Sequence, residues 1–169
     1  MVTHSDPERR VVHQINGEPA AQVYAGLLGV PVASLDETTF AMNPLIFQMG
    51  GEHYVRAIAR ANEDQSLSLY CAIENGLILD LGRAVDPLAT AQAAFARVRM
   101  EIGEPALILG CDCYSRRVQL AKQGLLGPMD DLLKQNRVFS FSTYGEQFDG
   151  LHMNQTFTGA AIALDHAGS

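Results

Sequence analysis

The chain has 169 residues, of which 47% are hydrophobic and 18% are charged, a balance that suits one well-buried domain rather than two. Its formal net charge of −7, without a run of Lys or Arg, argues against a nucleic-acid partner. No apolar run approaches the roughly 20 residues that span a bilayer. No apolar signal-peptide core stands near the N-terminus, so we expect a cytoplasmic protein without a membrane partner.

The first half of the chain predicts two helices and several strands. Residues 1–9 are polar and are expected to be disordered or a linker, ahead of a single domain over residues 10–166. A helix is predicted between Pro19, which suits a first turn, and Gly29, which suits a stop. Asn75-Gly76 predicts a tight hairpin turn within an antiparallel meander. The other elements predicted here are a strand at 11–15, a short helix at 36–42 and extended segments at 45–48, 53–61, 67–73 and 77–81.

The second half opens with the clearest helix, which Asp86 can cap, Pro87 can start and Gly103 can stop. An apolar run at 105–110 then predicts a strand buried on both faces. Further helices are predicted at about 115–124 and 128–134, and strands at 138–143 and 158–164. This order of elements indicates an α+β fold, with a largely antiparallel or mixed sheet of about 6–8 strands covered by 3–4 helices.

A first candidate site follows the apolar strand, where Asp112 and Cys113 precede a predicted helix that carries Arg116 and Arg117. The end of a buried strand and the start of a helix are common places for ligand contacts, and an arginine can bind a carboxylate or phosphate with two hydrogen bonds. In the alternative interpretation, Asp112 caps the helix, Cys113 packs in the core and the arginines are solvated.

The cysteines allow two further interpretations. Cys111 and Cys113 are too few for a structural zinc site, which needs four ligands, and three cysteines in the chain do not form a disulfide framework. Cys113 near a helix start and two arginines is a possible nucleophile, but no His and acid partners are evident in the sequence. We therefore predict no metal site and no catalytic residue.

A second polar cluster begins where the strand at 138–143 ends. Tyr144, Gly145 and Glu146 combine a flexible or closely approached backbone with an acid and an aromatic ring. His152, Asn154 and Thr156 alternate, so a strand would place them on one face. Arg56 lies on the polar side of a predicted strand; it pairs with a nearby acid or reaches the same site. Such groups are costly to bury unpaired, so they either face water or surround a polar ligand.

Taken together and in this order, these segments resemble the C-terminal domain of the FIST sensory proteins. The resemblance covers about residues 10–165. The matching stretches are 17–20, Val23-Tyr24, Leu28-Gly29, 54–56, 74–76, 112–116, 141–146 and 154–156.

The resemblance implies a cytoplasmic sensory domain for a small ligand, with amino acids as a proposed ligand class. It also implies a FIST N-terminal domain or a signalling protein as a partner, such as a histidine kinase, a cyclic-dinucleotide enzyme or a chemotaxis receptor. In this hypothesis Arg116 holds an anionic group and Glu146 a cationic group. The predicted ligand-binding residues are Arg56, Asp112, Cys113, Arg116, Tyr144, Gly145, Glu146, His152, Asn154 and Thr156. We expect no cofactor.

Two alternative functions remain open. Some FIST relatives resemble haem-based nitric oxide sensors, and His152 or one of His4, His13, His53 and His166 would then bind the iron. A cysteine-dependent enzyme would use Cys113. The ligand-binding hypothesis makes a geometric prediction: Glu146, Asn154 and Thr156 lie close to Cys113 and Arg116, although about 30 residues separate the two groups.

Overall fold

The computed structural model describes residues 1–148 and 150–163, and within them the chain has the α+β fold that the sequence predicts. The described residues form five α-helices, close to the five helical segments predicted one by one and more than the overall figure of 3–4. They also form thirteen strands in four sheets, more than the 6–8 predicted. The helices are α1 (Ala20–Leu28), α2 (Glu37–Met42), α3 (Pro87–Ile102), α4 (Tyr114–Lys122) and α5 (Leu126–Gln135). The strands are β1 (Val2–Asp6), β2 (Val11–Ile15), β3 (Glu18–Pro19), β4 (Leu45–Met49), β5 (Glu52–Arg56), β6 (Ile58–Ala61), β7 (Leu67–Leu69), β8 (Asp80–Leu81), β9 (Pro105–Cys113), β10 (Val138–Thr143), β11 (Glu146–Phe148), β12 (Leu151–Met153) and β13 (Phe157–Ala163).

The N-terminal sheet corrects the prediction that residues 1–9 are disordered or a linker. Val2–Asp6 forms β1, an outer strand that pairs antiparallel with β2 in the order β1-β2-β7-β6. The side chain of Val2 is buried, and its N–H donates to the carbonyl of Leu77 at 2.8 Å. Val2 is the one apolar residue of β1, and it joins the core that includes Tyr24 and Leu67, while the other side chains of the strand are exposed or half-buried.

The meander predicted from residue 53 to residue 81 is wrong in two places. Residues 53–61 form two strands in different sheets, with a break at Ala57 between β5 and β6. The turn at Asn75-Gly76 is present, with Gly76 at a φ of +84°, but β8 beyond it pairs with β4 and not with β7. The second sheet therefore has the order β5-β4-β8.

The C-terminal sheet has β9 at its centre, with β10 parallel on one side and β13 antiparallel on the other. One face packs against the helices through a core of Phe95, Ile108, Leu120, Met129 and Leu133. Helix α3 ends as predicted, since the carboxylate of Asp86 caps its first turn and Gly103 closes it.

The other face of this sheet is uncovered among the described residues, so β9 is not buried on both faces as predicted. Directly paired residues point to the same side of a sheet. The register pairs Leu109 of β9 with Phe139 and Ala160, Cys111 of β9 with Phe141 and Thr158, and Leu107 with Ile162. We call the surface formed by these eight residues, many of them exposed, the open face.

Two sequence predictions reach the limits of the described residues. The last strand is observed as Phe157–Ala163, while its predicted end at Leu164 and the domain boundary at residue 166 lie outside the described residues. Within the described part of the chain, no helix is both long enough and apolar enough to cross a membrane.

Candidate functional site

The two polar clusters meet at the end of β9, where Thr156 contacts Cys113 as predicted, whereas Asn154 contacts Ala57 and His152. The N–H of Cys113 donates to the carbonyl of Thr156 at 3.1 Å, and the N–H of Gln155 donates to Sγ of Cys113 at 3.1 Å. The buried carboxylate of Glu146 accepts a 2.6 Å hydrogen bond from Oγ1 of Thr156 and another from the hydroxyl of Thr143. Main-chain and side-chain bonds therefore join residues 112–116 to residues 143–156.

Arg116 and Asp112 form a buried ion pair, with Nη1 and Oδ1 2.7 Å apart. The spacing of four residues spans the end of β9 and the first turn of α4. The guanidinium also lies 5.6 Å from the centre of the Phe157 ring and contacts Sδ of Met129. Oδ2 of Asp112 is buried and has no hydrogen-bond partner in the described part of the chain. The positive charge of Arg116 is thus already compensated inside the protein.

His152, Gly145 and Asn154 form a tight contact behind Glu146. Oδ1 of the fully buried Asn154 accepts a 3.3 Å hydrogen bond from the N–H of Ala57, so its Nδ2 donates to Nε2 of His152 at 3.1 Å. Gly145 packs directly against the His152 ring, which leaves no space for a Cβ. Strand β12 ends at Met153, so His152, Asn154 and Thr156 do not alternate along one strand as predicted.

Arg56 reaches this cluster through the main chain. Its Nη1 donates to the carbonyl of His152 at 3.2 Å, and its guanidinium lies 5.4 Å from the centre of the Phe47 ring. Arg56 thus links the β4–β5 sheet to β12. The sequence left two roles for Arg56, an ion pair with a nearby acid or a place in the ligand site. Among the described residues it forms no ion pair, and it does not line the groove described below.

Tyr144 lies on the surface in a stack of three tyrosines. Its ring centre is 6.0 Å from that of Tyr70 and 5.5 Å from that of Tyr114. A hydrogen bond to Glu37 and the negative charge of that residue raise the pKa of the Tyr114 hydroxyl. Burial raises the pKa of Tyr70. Tyr144 is therefore held by neighbouring rings at the rim of the cluster, outside its buried part.

The environment of Cys113 disfavours a thiolate. Burial raises the pKa of the thiol, and the negative charge of Glu146 raises it further. Hydrogen bonds from the main-chain N–H groups of Gln155, Ser115 and Arg116 act in the opposite direction but rank below these two effects. Because the thiolate is the nucleophilic form, this site does not have the features of an activated cysteine.

The three cysteines should consequently differ in reactivity. Burial also raises the pKa of Cys71, whereas Cys111 is half-buried on the open face. At about pH 8 and low protein concentration, we expect a small thiol reagent to label Cys111 at least about tenfold faster than Cys71 or Cys113. Mass spectrometry of peptides after timed quenching measures this order. Faster labelling of Cys113 than of Cys111 would contradict the inference that its thiolate is disfavoured, and it would support the hypothesis of a cysteine-dependent enzyme.

A groove of about 390 Å³ lies beside this cluster, between α3 and the β4–β5 sheet. Its apolar walls include Ile46, Val55, Phe95 and Phe157. Arg116, Gln119, Gln155 and Thr156 contribute polar atoms, and the exposed Arg83 and Arg97 also line it. Apolar walls with a few polar groups are typical of sites for small ligands, and the volume lies within their usual range of about 300–1,000 Å³.

Gln155 is the polar residue of this groove that the sequence patterns did not reveal. Its Nε2 donates to the carbonyl of Ala41 at 2.6 Å and to Oε1 of Gln119 at 2.9 Å. These two acceptors fix the orientation of the amide. Oε1 of Gln155 is buried and has no hydrogen-bond partner in residues 1–148 and 150–163. The period-two pattern selected its neighbours Asn154 and Thr156 and excluded the residue between them.

Only two of the ten predicted ligand-binding residues, Arg116 and Thr156, line the groove. Glu146 contacts Thr156 from behind, and Asp112 contacts Arg116, so these acids orient groove residues. The predicted residues that do not line it are Arg56, Asp112, Cys113, Tyr144, Gly145, Glu146, His152 and Asn154. The groove residues that the sequence patterns did not select, such as Arg83, Arg97 and Gln119, are spread over separate elements without a shared local pattern.

The haem hypothesis gains no geometric support from the described residues. No histidine lines the groove, and Nε2 of His152 already accepts a hydrogen bond from Asn154. His4 stacks on His13, with ring centres 4.8 Å apart, while His166 lies outside the described residues. In the part of the chain that the structure describes, no three His, Cys, Asp or Glu side chains are grouped to hold a metal ion.

Comparison with known proteins identifies one family. The family model of the FIST C domain matches residues 20–149. The match includes the Asp112–Arg116 pair, Cys113 and Glu146, and it stops before Asn154 and Thr156. The comparisons with curated proteins and with solved structures gave no match.

Proposed function

Because the chain belongs to the FIST C domain family, whose members are sensory domains of the signal-transduction type, we propose that it binds a small amino-acid-like ligand in the groove between α3 and the β4–β5 sheet. The bound state would be passed to a cytoplasmic signalling partner. FIST domains generally pair with signalling domains. The proposed partners are a FIST N-terminal domain, a histidine kinase, a cyclic-dinucleotide enzyme or a chemotaxis receptor.

The observation that carries this proposal is the unpartnered Oε1 of Gln155. A buried acceptor without a donor costs about 1–3 kcal/mol, and an N–H group from a ligand removes that cost. Since Ala41 and Gln119 hold the other end of the amide, Oε1 cannot turn away without breaking two hydrogen bonds. Gln155 also lines the groove, so the proposed ligand places an ammonium or amide N–H against this amide after a small shift that opens Oε1 to the groove.

The charges of the groove favour an anionic group on the same ligand. Arg83 and Arg97 line it, and neither forms an ion pair with any residue in the described ranges. Among the described residues, no acidic side chain lines the groove. Arginine binds a carboxylate with two parallel hydrogen bonds, so these two residues suit the carboxylate of an amino acid. They replace Arg116 in that role, because Asp112 already occupies its guanidinium.

The walls suit an apolar side chain on the ligand. Phe95 and Phe157 meet edge to face, with ring centres 6.1 Å apart, and both line the groove with Ala91 and Ala94 of α3. Burial of an apolar group here contributes about 25 cal/mol per Å². Glu146 does not line the groove, so it supports the site by fixing the hydroxyl of Thr156 rather than by binding the ammonium group.

A ligand screen with two tryptophan variants tests the proposal. Ala94 lines the groove, whereas its neighbour Ala93 is exposed outside it on the same helix. We expect at least one amino acid to stabilise the wild type, by about 2.7 kcal/mol at a concentration about 100 times its Kd. Ala93→Trp should retain this stabilisation and Ala94→Trp should lose it. Thermal unfolding followed by titration calorimetry provides the measurement.

The same screen distinguishes the role of the carboxylate. Arg97→Gln should weaken an amino-acid ligand about tenfold and leave the binding of its decarboxylated amine unchanged. No stabilisation by any amino acid at millimolar concentration would count against the proposal. Stabilisation that persists in Ala94→Trp would place the ligand elsewhere.

A further inference from the structure

The open face of the C-terminal sheet presents a contiguous apolar patch of the size that the largest patch on a monomer usually has. Phe139, Phe141, Leu109 and Ile162 are 66%, 57%, 44% and 48% exposed. Since an aromatic side chain carries about 150–250 Å² of surface, these four side chains alone expose roughly 400 Å². Contiguous apolar patches of about this size on a monomer are often functional.

The order of these side chains shows that the patch is one continuous surface. Phe139 and Phe141 lie two residues apart on β10, and their paired residues Leu109 and Cys111 lie beside them on β9. Thr158, Ala160 and Ile162 continue the same face on β13. None of the eight residues of the open face is charged. A strand face in contact with water is ordinarily polar, so this largely apolar composition indicates a face that another sheet covers.

We propose that the open face is the interface of a two-fold symmetric dimer, in which a second copy of this chain packs its own open face against the first. Aligned sheet packing brings two such faces about 10 Å apart, with their strands within about 30° of each other. Two copies of the patch with its smaller neighbours bury about 1,000 Å² in total, which reaches the lower limit for a specific interface.

The charge pattern of the face and its rim is compatible with a second copy as the occupant. The formal net charge of −7 opposes association of two copies, and this repulsion is weakest where they meet through uncharged surface. At one end of the face, Glu104 precedes β9 and Arg137 precedes β10, so the rim carries both signs. A two-fold contact places the same surface on both subunits, and a rim of mixed sign can be complementary to itself.

This interface is separate from the ligand groove. Phe157 points from β13 into the helix-covered side of the sheet and lines the groove, whereas the next residue, Thr158, belongs to the open face. Dimer formation therefore leaves the groove accessible. The dimer does not depend on the proposed ligand, and either proposal can fail without the other.

Sedimentation equilibrium over about 1–100 μM tests the dimer, because interfaces near the lower size limit are typical of weak complexes. We expect the wild type to dimerise and Phe139→Glu to be at least about 100-fold weaker, since a carboxylate would be buried without a partner. Ile78→Glu is the matched control. Ile78 is also 66% exposed, but it lies in the segment before β8. This variant should dimerise like the wild type.

A second readout needs no substitution on the interface. Cys111 belongs to the open face, so its labelling rate in the wild type should fall as protein concentration rises through the dimerisation range. A wild type that stays monomeric, or a dimer that survives Phe139→Glu, would overturn the proposal. Open-ended growth into larger assemblies would likewise exclude a closed two-fold contact and indicate a head-to-tail one.

Discussion

Arg116→Met is expected to lower the free energy of unfolding by about 3–5 kcal/mol, the largest single effect that this structure predicts. Arg116 supplies the one hydrogen bond that the buried carboxylate of Asp112 accepts from another side chain among the described residues. Methionine fills a similar volume without a charge. The substitution therefore leaves a carboxylate in the protein interior with neither a cation nor a side-chain donor, while most of the packing against Phe157 is kept.

Two comparison variants separate this effect from a general loss of positive charge. Arg117 is the next residue, is only half-buried and forms no ion pair in the described part of the chain, so Arg117→Ala should change stability by no more than about 0.5 kcal/mol. Asp112→Asn combined with Arg116→Met should lose clearly less than the sum of the single losses, because the uncompensated charge is then removed. Chemical denaturation at equilibrium measures these variants beside the wild type. Additive losses would contradict a direct interaction within the pair.

The buried pair also explains why the groove has a fixed wall. Asp112 is at the end of β9 and Arg116 is in the first turn of α4, so their ion pair sets the angle at which the helix leaves the sheet. Gln119 lies one turn further along α4 and accepts the hydrogen bond from Gln155. Loss of the pair should therefore weaken ligand binding as well as stability.

Local sequence signals predicted those parts of the fold whose causes are local. Asp86, Pro87 and Gly103 fix the ends of α3 through contacts within a few residues, and the predicted bounds agree with Pro87–Ile102. Strand Val138–Thr143 was likewise predicted with its observed bounds. Its alternating residues indicate which side chains share a face, but they do not say whether the protein itself covers that face.

The parts that were mispredicted depend on contacts between distant residues. Ala57 divides the predicted strand at 53–61 because its N–H donates to Oδ1 of Asn154, which is 97 residues away in the chain. The polar segment at 1–9 forms β1 by pairing with β2, and residues 76 and 77 hold its start through the main chain of Val2. The sequence patterns did not select Gln155 for the same reason, since its hydrogen-bond partners Ala41 and Gln119 lie in α2 and α4. No local pattern contains such information.

Gly145→Ala is expected to destabilise the protein by about 2–3 kcal/mol, as is typical when a side chain is forced into a packed site. The added Cβ would lie 2.7 Å from Nε2 of His152 and 3.2 Å from Nδ2 of Asn154, and closer still to Cε1 of His152. The ring cannot move freely, because Asn154 binds it and is itself bound to Ala57. Glycine is thus required here by a close approach and not by a positive φ, which Gly145 does not have.

A control and a rescue decide whether this contact is the cause. Gly127 is the second residue of α5, and a Cβ added there would meet no heavy atom of its surroundings within 4 Å, so Gly127→Ala should leave stability unchanged or raise it by no more than about 0.5–1 kcal/mol. His152→Ala removes the ring that the new methyl group would meet. The double variant Gly145→Ala with His152→Ala should therefore be more stable than the sum of the two single losses predicts. Additive losses of unfolding free energy would mean that the contact between Gly145 and the His152 ring is not what makes glycine necessary. They would also mean that the hydrogen bonds from Asn154 to His152 and Ala57 do not hold this ring in place.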